Sequence, residues 1–378
     1  MSGLSDVEIV GAGIHPFGRF ESSATEMGAH AVRAALEEAG SPRIDAAFCG
    51  TAYGGVAAGH KVLGRLALTG PPIVDVEAGC ASGAAALQLA AGTIAAGQHD
   101  TALVFGIEKM GKGMIRSSFF DPWFEEVGLN ATPAYFALRA QRLMRETGVT
   151  KEDLARVVVK NRAHGVHNPD AMFRTEVTEE EVLASRLISE PLHLFMMCSP
   201  NQGAAAVVLR RAERSGARRP RLRAVSLRSH LPGSVLDEST PLAGIEDAEI
   251  TPPSTLAADD AYEAAGIGPD DVDVAECQDT DAARELLAWQ ELGLCQPGEQ
   301  PKLLADGVFA LGGRLPVNPS GGLLSKGEPL GASAIGQVVE LVRQLQGRAG
   351  PRQVDGARTG LAHTVGRGAN ASCVLLST

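Results

Sequence analysis

A helix-to-strand unit occurs twice in this 378-residue chain, and it constrains the fold more than any other feature. The first copy covers residues 27–50 and the second covers residues 256–277. Each copy is an alanine-rich helix ending in Ala-Gly, then a short turn with a proline, then a strand that opens with aspartate. Because glycine followed by proline is a common helix stop signal, the match also fits ordinary punctuation. A true duplication predicts two halves of one architecture, packed as a pseudo-symmetric pair.

The first hundred residues alternate between strand-like and helix-like segments. Strands are predicted at residues 7–11, 44–50, 72–76 and 101–106, with helices at 23–39, 53–69 and 81–96. This alternation predicts a parallel or mixed sheet covered by helices, with the strand at 72–76 buried. We divide the chain into an N-terminal half, residues 1–210, and a C-terminal half, residues 211–378. The first half includes an insertion at about residues 107–200.

Composition places the chain among soluble α/β proteins. Hydrophobic residues make up 44% of it, and the net charge of −11 argues against a nucleic-acid surface. No segment approaches the roughly 18 apolar residues of a membrane span, and the N-terminus lacks a signal peptide's basic and apolar regions. We therefore expect a cytoplasmic protein. Its six cysteines have no paired short spacings, which predicts reduced thiols rather than disulfides or a metal site.

Cys80 stands where a predicted strand, residues 72–76, meets the predicted helix at 81–96. At a helix N-terminus, unpaired backbone N–H groups and the positive end of the macrodipole favour a thiolate over a thiol. Gly79 and Gly83 suit a sharp turn and leave room for a substrate. The pattern therefore makes Cys80 a candidate nucleophile. The alternative is a small buried cysteine that packs as a hydrophobic residue.

The insertion holds most of the aromatic residues of the chain. Long insertions on a regular scaffold often carry specificity or form a lid. The alternative, which we favour for each single ring, is a satellite core beneath the loop. The rings concerned are Phe119, Phe120, Trp123, Phe124, Tyr135 and Phe136.

Several stretches together resemble the thiolase superfamily. Glu-Ala-Gly-Cys-Ala-Ser-Gly at residues 77–83, followed by Gly-Ile-Glu-Lys-Met at 106–110, resembles its nucleophile region, and residues 318–333 resemble its second signature. Residues 154–169 and 185–208 resemble the branch of sterol-carrier-protein thiolases. The resemblance implies a five-layered αβαβα fold of two pseudo-symmetric halves with the site at their junction. It also implies that Cys80 accepts an acyl group, with coenzyme A as co-substrate and no permanently bound cofactor.

Two departures from the pattern of the branch, and one match to it, affect the chemistry. Glu328 stands in Gly-Glu-Pro, where these thiolases have Gly-His-Pro with a histidine that helps activate the cysteine and hold the thioester oxygen. Residues 278–281 read Gln-Asp-Thr-Asp, where the branch has His-Asp-Cys-Phe, so the second cysteine of that loop is missing. Residues 361–368 resemble the branch's His-Asn-x-Gly-x-Gly ending, with His363 in the histidine position, and not the Cys-x-Gly ending of degradative thiolases.

The acid or base of the reaction is therefore open among His363, Glu328 and Asp279. Burial disfavours a charged carboxyl, so Glu328 in a closed pocket is a workable acid or base. The alternative is that Glu328 caps a helix. Gln278 can donate a hydrogen bond to a thioester carbonyl but cannot carry a proton.

Other polar residues have simpler assignments. Gly366 and Ser325 are the positions expected to contact coenzyme A, with the loop after Gly366 supplying backbone N–H groups to an oxyanion pocket. His164 and His167 lie in the insertion, and we interpret both as structural or surface residues. No metal ligand is assigned.

Three functional hypotheses follow. The leading one is an acyl-CoA acyltransferase of thiolase type that cleaves or forms a β-ketoacyl-CoA carbon–carbon bond through an S-acyl Cys80. The second is a retro-aldolase or other lyase on the same fold, acting on a β-hydroxyacyl-CoA, against which Cys80 argues. The third is a catalytically silent subunit of a heteromeric complex.

The resemblance also has consequences for assembly. The resemblance implies that members of this branch with altered site loops are often paired with a small protein bearing a zinc ribbon and an OB-fold, which is encoded beside them. We therefore expect a homodimeric core that binds such a partner, with the aromatic insertion around Trp123 as a candidate interface. The alternative is a plain homodimer in which His363 and Glu328 replace the missing groups.

Overall fold

The computed structural model describes residues 4–111, 122–128, 131–212, 219–232, 250–366 and 370–378. The strands are β1 (Val7–Gly18), β2 (Ala46–Gly50), β3 (Ile73–Val76), β4 (Thr101–Lys109), β5 (Leu187–Ser189), β6 (Leu192–His193), β7 (Gln202–Arg211), β8 (Arg221–Ser229), β9 (Val274–Cys277), β10 (Thr359–Val365) and β11 (Asn370–Ser377). The helices are α1 (Ala24–Glu38), α2 (Ala58–Arg65), α3 (Ser82–Ala95), α4 (Pro122–Glu126), α5 (Thr132–Thr147), α6 (Lys151–Val166), α7 (Glu179–Ala184), α8 (Pro253–Ala265), α9 (Ala282–Glu291), α10 (Gln300–Ala305), α11 (Gly322–Lys326) and α12 (Leu330–Leu345).

Nine strands are hydrogen-bonded in one continuous order, which divides into two sheets of equivalent topology where β1 and β8 share a single residue pair. The order β3-β2-β4-β7-β1 continues through the pair Glu8–Arg221 into β8-β11-β10-β9. In the first sheet β2 is parallel to β3 and β4, whereas β7 is antiparallel to β4 and β1. In the second sheet β9 is parallel to β10, and Ala275 of β9 forms a parallel bridge with Val317 on its other side. Strand β11 is antiparallel to β10 and β8. The repeat in the sequence is therefore a structural duplication.

Three apolar clusters separate the layers of the fold. One lies between the outer face of the first sheet and helices α1 and α2. The second lies between the two sheets and contains α3 and α12. The third covers the outer face of the second sheet with α8 and α9. These clusters confirm the expected five-layered αβαβα fold with two pseudo-symmetric halves. The layering follows because each sheet must bury both of its faces against helices.

Local signals placed most elements correctly, and α1 shows why. Ser23 accepts a hydrogen bond from the backbone of Glu26, and the Glu26 side chain accepts one from the Ser23 backbone, which completes a capping box.

The strand before Cys80 was predicted as buried, and this was wrong. Strand β3 is the outermost strand of its sheet, so one edge and part of each face are open, and Val74 is 42% exposed.

The insertion packs mainly against the outer cluster of the C-terminal half. Tyr135 is buried, and Phe136 is partly buried and packs against that cluster, as the satellite-core alternative predicts. Trp123 is 39% exposed. Phe119 and Phe120 lie outside the described residues, as does the side chain of Phe124. Among the helices that the structure describes, none is both long and apolar enough to cross a membrane.

Candidate active site

Cys80 lies in a single 3-10 turn, Gly79–Ala81, between β3 and the start of α3. The Ser82 hydroxyl fixes this turn, because it donates to the Gly79 carbonyl at 2.6 Å and accepts from the Ala78 N–H at 2.9 Å. The thiol is 7% exposed and packs with Met110 and Leu330. The predicted position of Cys80 at a strand-to-helix junction is therefore correct.

Glu108 joins the start of α12 to the loop beside Cys80. Its carboxylate accepts from the backbone N–H of Ala52 at 2.9 Å, of Tyr53 at 3.2 Å and of Gly331 at 3.2 Å. Burial raises the pKa of Glu108. A side chain at Gly106 would overlap the Gly331 carbonyl, so glycine is needed for α12 to come this close. Glu108 belongs to the family motif at 106–110, but the motif alone assigns it no role.

Glu328 accepts hydrogen bonds from two side chains, the partly buried Cys198 and the buried Gln278. The Cys198 thiol donates to Oε2 at 3.3 Å, and the Gln278 Nε2 donates to Oε1 at 2.9 Å. The Gln278 Oε1 in turn accepts from the Val365 N–H, which fixes the orientation of the amide. The Glu328 side chain therefore does not cap a helix. Gln278 positions Glu328, with its oxygen and one N–H already engaged.

Cys198 is a second thiol in the site that sequence reasoning missed. Burial, followed by the Glu328 carboxylate, raises the pKa of Cys198, and the nearby Cys80 acts in the same direction. Cys198 is therefore a protonated thiol near neutral pH, which agrees with its donation to Glu328. The resemblance of residues 185–208 to the sterol-carrier branch was the available signal, but it did not point to this residue.

Backbone hydrogen bonds place Cys198 next to the loop whose own cysteine is missing. The Cys198 N–H donates to the Thr280 carbonyl at 2.9 Å, and Thr280 occupies the position where the related branch has its second cysteine. On the other side, the Glu328 N–H donates to the Ser199 carbonyl at 2.9 Å. A thiol absent from one segment is thus present on a neighbouring one.

Asp279 has a structural position. Its carboxylate accepts from the N–H groups of Leu323 at 2.6 Å and Leu324 at 3.1 Å, at the start of α11, and from Asn161 at 2.8 Å. Burial and the neighbouring Glu285 raise the pKa of Asp279. Both oxygens are occupied by fixed donors, so the structure does not bring Asp279 forward as the acid or base.

His363 faces away from the Glu328 cluster. Side chains on β10 alternate, so the His363 Nε2 lies 3.0 Å from the Ser254 hydroxyl of α8, whereas Thr364 bonds Gln337 of α12. Burial lowers the pKa of His363 well below its usual range, so the ring is neutral. Sequence reasoning made His363 a candidate acid or base. Because side chains alternate along β10, the ring instead points toward α8, in the outer helical layer.

The two positions expected to contact coenzyme A differ. Ser325 is fully buried, and its hydroxyl donates to the Asn161 carbonyl at 2.9 Å, so its surroundings are those of a packing residue. Gly366 lies so close to the Cys80 loop that a side chain at this position would overlap the Ala78 carbonyl. The loop that follows it, residues 367–369, lies outside the described residues.

The insertion histidines occupy the expected kinds of position. His164 is buried, with Nδ1 2.9 Å from the Asn318 carbonyl and Nε2 accepting from the Leu311 N–H at 3.0 Å. Burial lowers the pKa of His164 to about 3. His167 is exposed at the end of α6. Both ring nitrogens of His164 are thus engaged by backbone groups, which is the bonding of a structural residue.

Family models match most of the chain. Residues 7–213 match the thiolase N-terminal domain, and residues 239–378 match the thiolase C-terminal domain-like model. The chain belongs to the thiolase family. The predicted acyltransferase of thiolase type is confirmed at the level of the family.

Individual relatives cover nearly all of this thiolase-family chain. It is 36% identical to "Benzoylsuccinyl-CoA thiolase subunit BbsB" of Thauera aromatica, over 97% of this chain and 96% of the relative. It is 34% identical to "Sterol carrier protein 2" of Bos taurus, over 96% of this chain and 70% of the relative, which agrees with the sterol-carrier resemblance. The solved structure "Ltp2-ChsH2(DUF35) aldolase" superposes with a TM-score of 0.87 at 26% identity, covering 100% of this chain and 99% of that one.

Proposed function

We propose that this thiolase-family acyltransferase cleaves or forms the carbon–carbon bond of a β-ketoacyl-CoA through an S-acyl intermediate on Cys80. The observation that carries the proposal is the placement of Cys80 at the α3 N-terminus near a second, partly buried thiol, Cys198, which is hydrogen-bonded to Glu328. In this proposal Cys80 is the nucleophile, and Glu328 with Cys198 handles the proton.

In the cleavage direction, the Cys80 sulfur attacks the β-keto carbonyl, and its proton passes to Glu328 directly or through Cys198. The bond between the α and β carbons breaks, and the α carbon takes a proton from the same group. Coenzyme A then attacks the S-acyl Cys80, releasing acyl-CoA, and its thiol proton returns through Glu328 to Cys80. The carboxylate of Glu328 replaces the family histidine in moving the proton. It cannot replace that histidine as an oxyanion donor while ionised, so in this proposal backbone N–H groups fill that role.

A lyase reaction on a β-hydroxyacyl-CoA is the second candidate. It is favoured by the superposition on a structure that is named an aldolase. It is also favoured by the Glu328 carboxylate, whose side-chain partners within the described residues are a thiol and an amide rather than a histidine. Retention of Cys80 favours acyl transfer. The third hypothesis, a catalytically silent subunit, predicts neither product.

We further propose a homodimeric core that binds a partner subunit with a zinc ribbon and an OB-fold. The name of the Thauera relative describes a subunit, and the name of the superposed aldolase joins two components. Strand β3 supports the homodimer, because an edge strand with exposed Val74 can pair with a second copy. Co-expression with the neighbouring gene product, followed by light scattering, tests both. Full activity of an isolated chain without heteromeric mass would exclude the partner.

Intact-mass spectrometry after incubation with a panel of acyl-CoAs tests the chemistry. We expect an adduct equal to the acyl group, mapped to Cys80, which disappears on addition of coenzyme A. The matched control is Cys295→Ala, another buried cysteine, which should acylate normally. Release of an aldehyde or ketone from a β-hydroxyacyl-CoA, without an adduct, would establish the lyase instead.

A further inference from the structure

Arg162 on α6 is buried without an acidic partner among the described residues. Its side chain is 6% exposed, and its Nε has no hydrogen-bond acceptor there. The other buried arginines in the described part of the chain each pair with a carboxylate. Arg139 pairs with Asp281, Arg284 with Glu291, and Arg352 with Glu340 at 2.9 Å. Removing a guanidinium from water without a counter-charge is unfavourable, so an unpaired one suggests an anion supplied from outside.

Two aromatic rings hold the Arg162 guanidinium in place. Its Cζ lies 4.1 Å from the centre of the Phe173 ring and 5.8 Å from that of Phe195. Stacking on a ring face orients the plane of the guanidinium while leaving its edge N–H groups for an acceptor. Burial lowers the pKa of Arg162 to about 10, so the group remains charged at neutral pH. The arrangement is a fixed cation with unused donors.

Both rings belong to segments that build the active site. Phe195 precedes Cys198 by three residues, which limits the separation of their Cα atoms to about 11 Å. The Phe173 N–H donates to the Ser325 carbonyl at 2.9 Å, in the segment that leads to Glu328. The sulfur of the adjacent Met172 accepts from Asn201, whose own N–H donates to the Glu328 carbonyl. Arg162 therefore contacts two rings whose chain segments lead to Cys198 and are hydrogen-bonded to the segment of Glu328.

The nearby lysines do not compete for such an anion. Lys160 on the same helix pairs with Glu285 at 2.7 Å, and Lys326 pairs with Glu276 at 3.1 Å. Among these buried cations of the insertion and the Glu328 loop, Arg162 alone lacks a carboxylate partner within the described residues. An incoming acyl group would therefore meet one available positive charge.

We propose that Arg162 binds a carboxylate on the acyl group of the substrate, so that the substrate class is a carboxylated acyl-CoA. This inference rests on the acyl-CoA chemistry proposed for Cys80. A single carboxylate on a carbon chain fits a guanidinium enclosed by two phenyl rings, and the planar fork can bind it through two parallel hydrogen bonds. The phosphates of coenzyme A are the alternative anions, but they carry more charge and favour a more exposed cation.

The test compares acyl-CoAs that differ only at the chain end. Succinyl-, glutaryl- and adipyl-CoA are each compared with butyryl-, valeryl- and hexanoyl-CoA, in which a methyl group replaces the carboxylate. Acylation rates of Cys80 are measured by intact mass on the purified chain, with its partner subunit if one co-purifies. Binding is measured by calorimetry in Cys80→Ala, which does not depend on acyl transfer. The variants are Arg162→Met, Arg162→Lys and the control Arg174→Met, which removes an exposed charge from the residue after Phe173.

We expect at least one carboxylated acyl-CoA to be preferred over its methyl counterpart by about 30-fold or more. Arg162→Met should abolish that preference, Arg162→Lys should retain part of it, and Arg174→Met should leave it unchanged. Equal rates and affinities for each pair in the unaltered protein would overturn the inference and leave the function of Cys80 intact. Weaker binding of free coenzyme A and every acyl-CoA alike in Arg162→Met would assign the anion to a phosphate and also overturn it. Absence of any Cys80 adduct would refute acyl transfer, while the binding preference would still decide the role of Arg162.

Discussion

Asp279 and Glu328 are two buried carboxylates at neighbouring loops of the same half, and their surroundings differ in kind. Asp279 is held by two backbone N–H groups of α11 and by Asn161. Glu328 is held by two side chains, the Cys198 thiol and the Gln278 amide. The donors on Asp279 cannot release a proton, whereas the thiol on Glu328 can.

This difference separates a structural carboxylate from a reactive one. Backbone donors at a helix N-terminus stabilise the fold and keep the carboxylate in place. A carboxylate that shares a proton with a thiol beside the nucleophile can change its protonation during a reaction. Both residues were acid or base candidates on sequence grounds, and their hydrogen-bond partners distinguish them.

The largest effect should come from the nucleophile that Glu328 is proposed to serve. Cys80→Ala should lower kcat by about 10⁴-fold or more, because no S-acyl intermediate can form. Its free energy of unfolding should change by about 1 kcal/mol or less, since only one sulfur is removed. Turnover assays and thermal unfolding of the same preparation measure both. Retained turnover in the folded variant would remove Cys80 from the mechanism.

The same chemical change at the two carboxylates tests the comparison directly. Glu328→Gln should lower kcat by about 10²–10³-fold, because the amide cannot accept the proton, with little change in stability. Asp279→Asn should lower the free energy of unfolding by about 1–3 kcal/mol, because its amide cannot satisfy all three donors. Activity and urea unfolding should be measured on both variants. If Glu328→Gln turns over normally, Glu328 is structural like Asp279.

Two substitutions at Cys198 refine the reactive side. Cys198→Ser keeps a hydroxyl that can donate to Glu328. It should retain more activity than Cys198→Ala, which removes the group that donates a proton to Glu328. We expect the alanine variant to lose about 10–100-fold in kcat while still forming the Cys80 adduct. Single-turnover acylation followed by intact mass separates the two steps. Equal kinetics in both variants and the unaltered protein would leave Glu328 to act without this thiol.

The smallest effect concerns His363, a buried titratable group outside the site. Its pKa is well below the usual 6.5, so folding excludes a proton that the unfolded chain binds. This contribution to stability is complete above about pH 6.5 and is lost as the pH falls, at up to about 1.4 kcal/mol per pH unit. His363→Gln should flatten the pH dependence of unfolding between about pH 5 and pH 7 by up to that amount, with kcat nearly unchanged. A large loss of kcat would place His363 in the reaction after all.

Sequence reasoning located part of the candidate site. Cys80, Glu328 and Gln278 were singled out from motifs, and the structure brings Gln278 and Glu328 into direct contact. Sequence reasoning could not find Cys198 or Arg162, because the proposed role of each depends on contacts with residues far along the chain. Cys198 meets Glu328 across 130 residues, and Arg162 is distinguished only by lacking, within the described residues, a carboxylate that its neighbours have.

The sequence by itself determined a sheet covered by helices and a repeated unit, since alternating strands and helices and local caps act over short distances, whereas the five layers followed from the resemblance to the thiolase superfamily. It also determined the position of Cys80, because a strand, a glycine turn and a helix are contiguous there. The tertiary structure decided which buried polar groups meet. The period of a strand sends His363 outward, and the packing of separate segments gives Asp279 backbone donors but gives Glu328 a thiol. Those choices depend on side-chain directions and long-range contacts that no local pattern encodes.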